Sequence, residues 1–233
     1  MEDVVKENSI EYRLTGRHAL FTDPITKIGG EKSTYLIPTY EAIKGITQSI
    51  YWKPTIVWVI DKIRIIKKIT TESKNMKPML FNDSTKNDLA IYTYLRDVEY
   101  QVKAHFEWNM QRPDLEQDRN ENKHFDMARR ALERGGRRDI FLGSRECQGY
   151  VEPCTFGNGK GFYDDEVSFA YGMMFHGFDY PTEVATEKLT ARFWNAKMEK
   201  GIIMFPRPDE CTVRREIRNY NVYNPKVNME EDV

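Results

Sequence analysis

Asn120-Glu121-Asn122-Lys123-His124 puts a lysine and a histidine where a helix should begin, and Gly135-Gly136-Arg137-Arg138-Asp139 closes the same helix. The first turn of a helix already carries partial positive charge from unpaired N–H groups, so a lysine there works against helix stability. A broken local rule without a packing gain is a mark of function. A helix start is also a ready anion site. Lysine, imidazole and helix N-terminus together make a seat for one phosphate of a nucleic acid, and the imidazole of His124 suits a general acid or base.

The other three histidines invite plainer readings. His105 falls on the polar side of an alternating strand, where a solvated histidine is expected, while His18 and His176 stand in apolar company and read as core residues. Tyr51-Trp52-Lys53 either packs a helix end against a sheet or offers a tyrosine hydroxyl to a phosphate. Arg129, Arg130, Arg134, Arg137, Arg138 and Arg145 form either a solvated basic face or a set of phosphate contacts, and Gly135-Gly136 would let backbone approach a ligand. Helix length alone, roughly 12 residues at about 1.5 Å each, sets Arg137 and Arg138 close to 18 Å from Lys123. Lys160-Gly161-Phe162-Tyr163 starts like an aromatic RNA-stacking motif, but Asp164-Asp165-Glu166 ends the likeness. No carboxylate cluster has metal spacing, so chemistry without metal or cofactor is the simpler expectation.

A chain of 233 residues with a net charge of −1 has no global nucleic-acid signature, so any phosphate-binding surface must be local. MEDVVKEN lacks an apolar secretory core, and the longest apolar run, Ile56 to Ile60, is far too short to span a bilayer. Cys147, Cys154 and Cys211 are odd in number and fit no metal pairing, which suits reduced thiols in a cytoplasmic protein with no membrane association.

The elements that must position these residues follow from periodicity. Residues 9–15 read as a strand and 16–32 as a loop or hairpin. Pro38 opens a helix whose Tyr40, Ile43, Ile46 and Ile50 face the core until Lys53-Pro54 stops it. Thr55 to Ile69 reads as a strand with Val57, Val59, Ile63 and Ile65 on one face and Ile56, Trp58 and Ile60 opposite. Val98, Tyr100, Val102, Ala104, Phe106 and Trp108 alternate strictly with polar residues, the pattern of a half-buried strand. Asn120 or Asn122 caps the next helix, with Phe125, Ala128 and Leu132 as its apolar stripe and Gly135 at its end. A further strand falls around Phe141 and Tyr150. This order predicts an α+β fold, a modified ferredoxin-like (RNA-recognition-motif-like) domain over 1–157. Strands at 168–180 and 189–205 predict a small antiparallel β-sheet domain over 158–233, with a loose polar tail after Asn219.

Taken as a set, several segments resemble one family. They are Ala19 to Pro24, Lys27 to Lys32, Ser49 to Thr55, His105 to Asn109, Arg112 to Leu115, Asp118 to His124, Gly135 to Gly143, Arg145 to Gly149, His176 to Phe178 and Phe205 to Pro208. The family is the CRISPR-associated Cas-five-d family of the type I-C (Dvulg) subtype. The resemblance implies an endoribonuclease that cuts precursor CRISPR RNA in the repeat without metal or cofactor and then stays on the guide RNA. It also implies other subunits of the type I-C surveillance complex as partners, and duplex DNA as a further ligand. The family's tyrosine, lysine and histidine fall on Tyr51, Lys123 and His124. RNA contacts are expected from Lys27, Lys32, Lys53, Arg134, Arg137, Arg138 and Arg145. His124 would be base or acid, Lys123 would stabilise the charged transition state, and Tyr51 would orient or protonate. The competing expectation is a non-catalytic subunit that only binds the guide RNA.

Overall fold

The computed structural model describes residues 8–22, 31–80, 83–165, 168–184, 186 and 188–219. In chain order the elements are β1 (Ser9–Ala19), α1 (Tyr40–Ile50), β2 (Ile56–Ile65), β3 (Thr71–Met76), β4 (Met79–Leu80), β5 (Asp83–Asn87) and β6 (Ala90–Trp108). A 3-10 turn (Pro113–Asp118) follows, then α2 (Glu121–Glu133), β7 (Ile140–Phe141), β8 (Gln148–Pro153), β9 (Ser168–Asp179), β10 (Lys188–Glu199), β11 (Ile202–Met204) and β12 (Val213–Asn219). Among the described residues the protein is mostly antiparallel β-sheet with two α-helices. The sheet runs β12-β10-β11-β2-β6-β1-β8-β7, with β3 beside the start of β6 and β9 beside β10. No helix among the described residues is long and apolar enough to cross a membrane.

α1 and α2 lie over one face of the central strands. Tyr40, Ile43, Ile46 and Ile50 of α1 and Ala128, Ala131 and Leu132 of α2 meet Tyr12, Leu14, Trp58, Val102, Ala104 and Phe106 in a continuous core. Thr39, one residue after Pro38, is the N-cap of α1, its hydroxyl accepting from the Ala42 N–H at 3.2 Å. The far end of α1 is closed from outside. Main-chain N–H groups of Arg137 and Arg138 donate to the carbonyls of Ser49 and Ile50, groups a helix end leaves unpaired.

Several sequence expectations need correction. β1 does not stop at residue 15 but continues through Gly16 to Ala19. A Cβ at Gly16 would sit 2.2 Å from Leu142 Cδ1, so this glycine admits a neighbouring side chain within a strand. The two faces expected of β2 hold only up to Asp61. A bulge between Ile60 and Lys62 switches the alternation, so Ile56, Trp58 and Ile60 share the core face with Ile63 and Ile65. The alternation of β6 holds, but His105 is not solvated. It is 1% exposed, with Nδ1 2.9 Å from Oδ1 of Asp61, the bulge residue of the neighbouring strand.

Beyond Gly157 the expected strand at 189–205 is two strands. Lys200 and Gly201 both take positive φ (47° and 75°), a tight hairpin turn that pairs Glu199 with Ile202. β11 then pairs with β2, joining β9–β12 edge-on to the central strands. His176 of β9, fully buried, stacks on Tyr40 of α1 with ring centres 4.1 Å apart.

Candidate active site

The two candidate side chains nearest the core come from opposite ends of two helices. Tyr51 follows the last turn of α1 in extended conformation, and its carbonyl accepts from the Trp58 indole at 2.7 Å. His124 lies in the first turn of α2, whose N-cap is Asn120, its side chain accepting from the Lys123 N–H at 3.0 Å. The imidazole is fully buried among Tyr51, Phe106 and Trp108. Its Nδ1 is 2.8 Å from the Tyr51 hydroxyl, joining residues 73 apart in the chain.

On the other side of the ring stands Asp118, the last residue of the 3-10 turn. Its main-chain oxygen is 2.8 Å from His124 Nε2, and its carboxylate Oδ2 is 3.4 Å from the same atom. That carboxylate also binds the Lys123 ammonium and accepts from the Thr55 hydroxyl at 2.6 Å. The Lys123 contact, then the Thr55 contact, hold the Asp118 carboxyl down at about 2. Asp118 therefore remains an anion that offsets the lysine in the first helical turn. Burial, then the Asp118 charge, push the Tyr51 phenol above its ordinary value, with the Arg137 charge opposing them. Tyr51 thus stays protonated at neutral pH.

Arg137 returns to the Tyr51 side of this cluster. Gly135 (φ 82°) and Gly136 (φ 105°) take left-handed conformations that turn the chain back after α2. The Arg137 guanidinium carbon comes to 5.8 Å from the centre of the Tyr51 ring. With Met127, Arg130, Ala131, Arg134 and Gly136 it lines a cleft of about 310 Å³. Met127 Sδ lies 3.6 Å from the Tyr51 hydroxyl, so this side chain stands between the cleft and the buried phenol.

The remaining expected RNA contacts do not gather here. Lys27 lies outside the described residues. Lys32 sits over the Tyr92 ring near the start of β6, whereas the Tyr51–His124 pair sits near that strand's end. Lys53 is in the α1–β2 link, its carbonyl accepting from Ile56. Arg138 is exposed, and Arg145 lies over Phe141 at 6.0 Å. Sequence reasoning singled out neither Asp118 nor Thr55. The available signal was a carboxylate just before a helix start, where its charge is favourable. Among the described residues no three His, Cys, Asp or Glu side chains are placed to share a metal ion.

Residues 9–206 match the family model of the CRISPR-associated Cas5d proteins. The chain belongs to that family. A relative from Mannheimia succiniciproducens named CRISPR pre-crRNA endoribonuclease Cas5d is 28% identical over 227 residues, spanning 85% of this chain and 95% of its own. The crystal structure of a CRISPR-associated protein superposes with a TM-score of 0.74 at 34% identity, covering 89% of this chain and 96% of that one. The crystal structure of a functionally uncharacterized Streptococcus mutans protein gives the same TM-score at 37% identity and the same coverages.

Proposed function

We propose that this chain is a metal-independent endoribonuclease that cuts precursor CRISPR RNA within the repeat hairpin and remains on the guide RNA as a subunit of a type I-C surveillance complex. The Tyr51–His124 hydrogen bond, with Lys123 tied to the same Asp118, is the observation that carries this reading. RNA carries a 2′-hydroxyl beside every phosphate, and its attack on that phosphate gives a 2′,3′-cyclic phosphate and a 5′-hydroxyl. Such a reaction needs a proton acceptor, a proton donor and a cation for the pentacoordinate phosphate. Tyr51 and His124 can take up a proton and hand it back, and Lys123 supplies the cation. The name of the Mannheimia relative supports the substrate class.

The order β8-β1-β6-β2, with α1 after β1 and α2 after β6, supports reading the first 157 residues as a modified ferredoxin-like unit that carries the chemistry. The strands of 158–233 then form the second, smaller part. Arg130, Arg134 and Arg137 around their cleft would hold the phosphates beside the scissile one.

A second reading, a subunit that binds guide RNA without cutting it, draws on the burial of Tyr51 and His124, each 0% exposed. One experiment separates the two. Purified protein is incubated with repeat RNA in EDTA and the product ends are identified. Cleavage to cyclic-phosphate ends supports the endoribonuclease, whereas intact RNA shifted on a gel supports the second reading.

A further inference from the structure

Hydrogen-bond donors and acceptors around His124 fix an order among the candidate groups. A main-chain carbonyl oxygen can only accept, so the hydrogen between His124 Nε2 and the Asp118 oxygen, 2.8 Å apart, belongs to the ring. In a neutral imidazole Nδ1 is then bare. The Tyr51 hydroxyl, 2.8 Å from Nδ1, gives its one hydrogen to that nitrogen rather than to the weaker thioether acceptor of Met127 at 3.6 Å. The phenol oxygen is left with its lone pairs directed away from the ring.

Access points the same way. His124 is closed in by Phe106, Trp108, Tyr51 and Asp118, so its bare nitrogen has no path to RNA except through the phenol. The Tyr51 hydroxyl instead meets Met127, a flexible thioether that lines the arginine cleft. Among the described residues, Met127 is thus the one side chain shown in contact with both the phenol oxygen and the cleft.

We infer that Tyr51 is the group that meets the 2′-hydroxyl, that His124 acts only through Tyr51, and that Asp118 is the positioning residue that sets the His124 tautomer. This rests on the endoribonuclease reading. The 2′-hydroxyl proton passes to the Tyr51 oxygen as the phenol's own proton passes to His124 Nδ1. The 2′-oxygen bonds to phosphorus, and the bond from phosphorus to the 5′-oxygen breaks with its electron pair on that oxygen. The leaving oxygen takes a proton from water, and the imidazolium returns its proton through Tyr51 to the hydroxide so formed. Asp118 contributes its main-chain oxygen, and its side chain anchors the turn to Thr55 and Lys123.

The test is a double-mutant cycle on the single-turnover cleavage rate at saturating protein. Tyr51→Phe and His124→Ala should each slow cleavage by about 10²-fold or more, and the double variant should be within about threefold of Tyr51→Phe alone, because linked groups fail together. Losses that multiply would show His124 reaching RNA independently and would overturn the relay while leaving the endoribonuclease intact. If the unsubstituted protein leaves repeat RNA whole, relay and endoribonuclease fall together. A readout independent of folding in the variants is the ¹⁵N spectrum of histidine-labelled native protein. It should show His124 protonated on Nε2, and protonation on Nδ1 in the neutral ring overturns the proposal. Asp118→Asn, which keeps partners for Thr55 and Lys123, should retain that tautomer and more of the rate than Asp118→Ala. Equal rates and unchanged tautomers in both would remove Asp118 from its role.

Discussion

Acid should loosen the seam that holds α1, and with it Tyr51. His176 is fully buried, stacked on Tyr40, and 3.0 Å from the Pro206 carbonyl through Nε2. Burial, reinforced by the Arg192 charge, pulls its imidazole down from 6.5 to about 3. The folded value lies below the unfolded one, so the unfolded chain binds more protons between them. This contribution to stability is complete above about pH 6.5 and is lost as pH falls toward about 3. Each pH unit within that window costs about 1.4 kcal/mol, and going from about pH 7 to about pH 5 costs about 2 kcal/mol. That is a large part of a typical net stability of about 5–15 kcal/mol. The assay is urea denaturation at both pH values for the native protein and for His176→Gln, which keeps a donor for Pro206 but has no proton to gain. Native protein should lose about 2 kcal/mol more than the variant over the same interval. Equal losses would refute the argument.

Three further outcomes follow from the geometry. His124→Ala should reduce cleavage by about 10²–10⁴-fold in single-turnover assays while repeat-RNA affinity stays within a few-fold. Arg137→Ala should lower both RNA affinity and the cleavage rate at saturation, since Arg137 covers the Tyr51 ring. Arg138→Ala should change only affinity, with a salt slope shallower by about 0.7–0.9 in a binding titration. Gly143→Ala should cost about 3 kcal/mol or more in a thermal or urea melt. Its Cβ would land 2.1 Å from the Leu20 carbonyl oxygen at a φ of +90°.

Local signals were strongest where one face of an element meets one environment. The Tyr40-Ile43-Ile46-Ile50 stripe and the alternation of Val98 to Phe106 are of that kind, and both are buried as their periodicity requires. What could not be read there depends on partners distant in sequence. The bulge at Asp61 is a matter of register with β6, and it both moves Ile63 onto the core face and hands His105 a carboxylate. Gly16 looks like a loop residue until Leu142 is placed against it. At the site, the lysine in the first turn of α2 marked the right place, and resemblance paired it with Tyr51. Asp118 stayed hidden because its value comes from the 3-10 turn that aims its main-chain oxygen at His124. That Arg137 lies over the Tyr51 ring was not legible, because helix length says nothing of a chain that doubles back at two glycines.

The central claim is that the RNA's own hydroxyl is the nucleophile at the Tyr51–His124 site. It is tested most directly by a repeat RNA with a single deoxynucleotide immediately 5′ of the scissile phosphate. That RNA should bind like its all-ribose counterpart and remain uncut in EDTA. Continued cutting at the same phosphodiester would point to an activated water, and the account of Tyr51, His124 and Lys123 as a transesterification site would be contradicted.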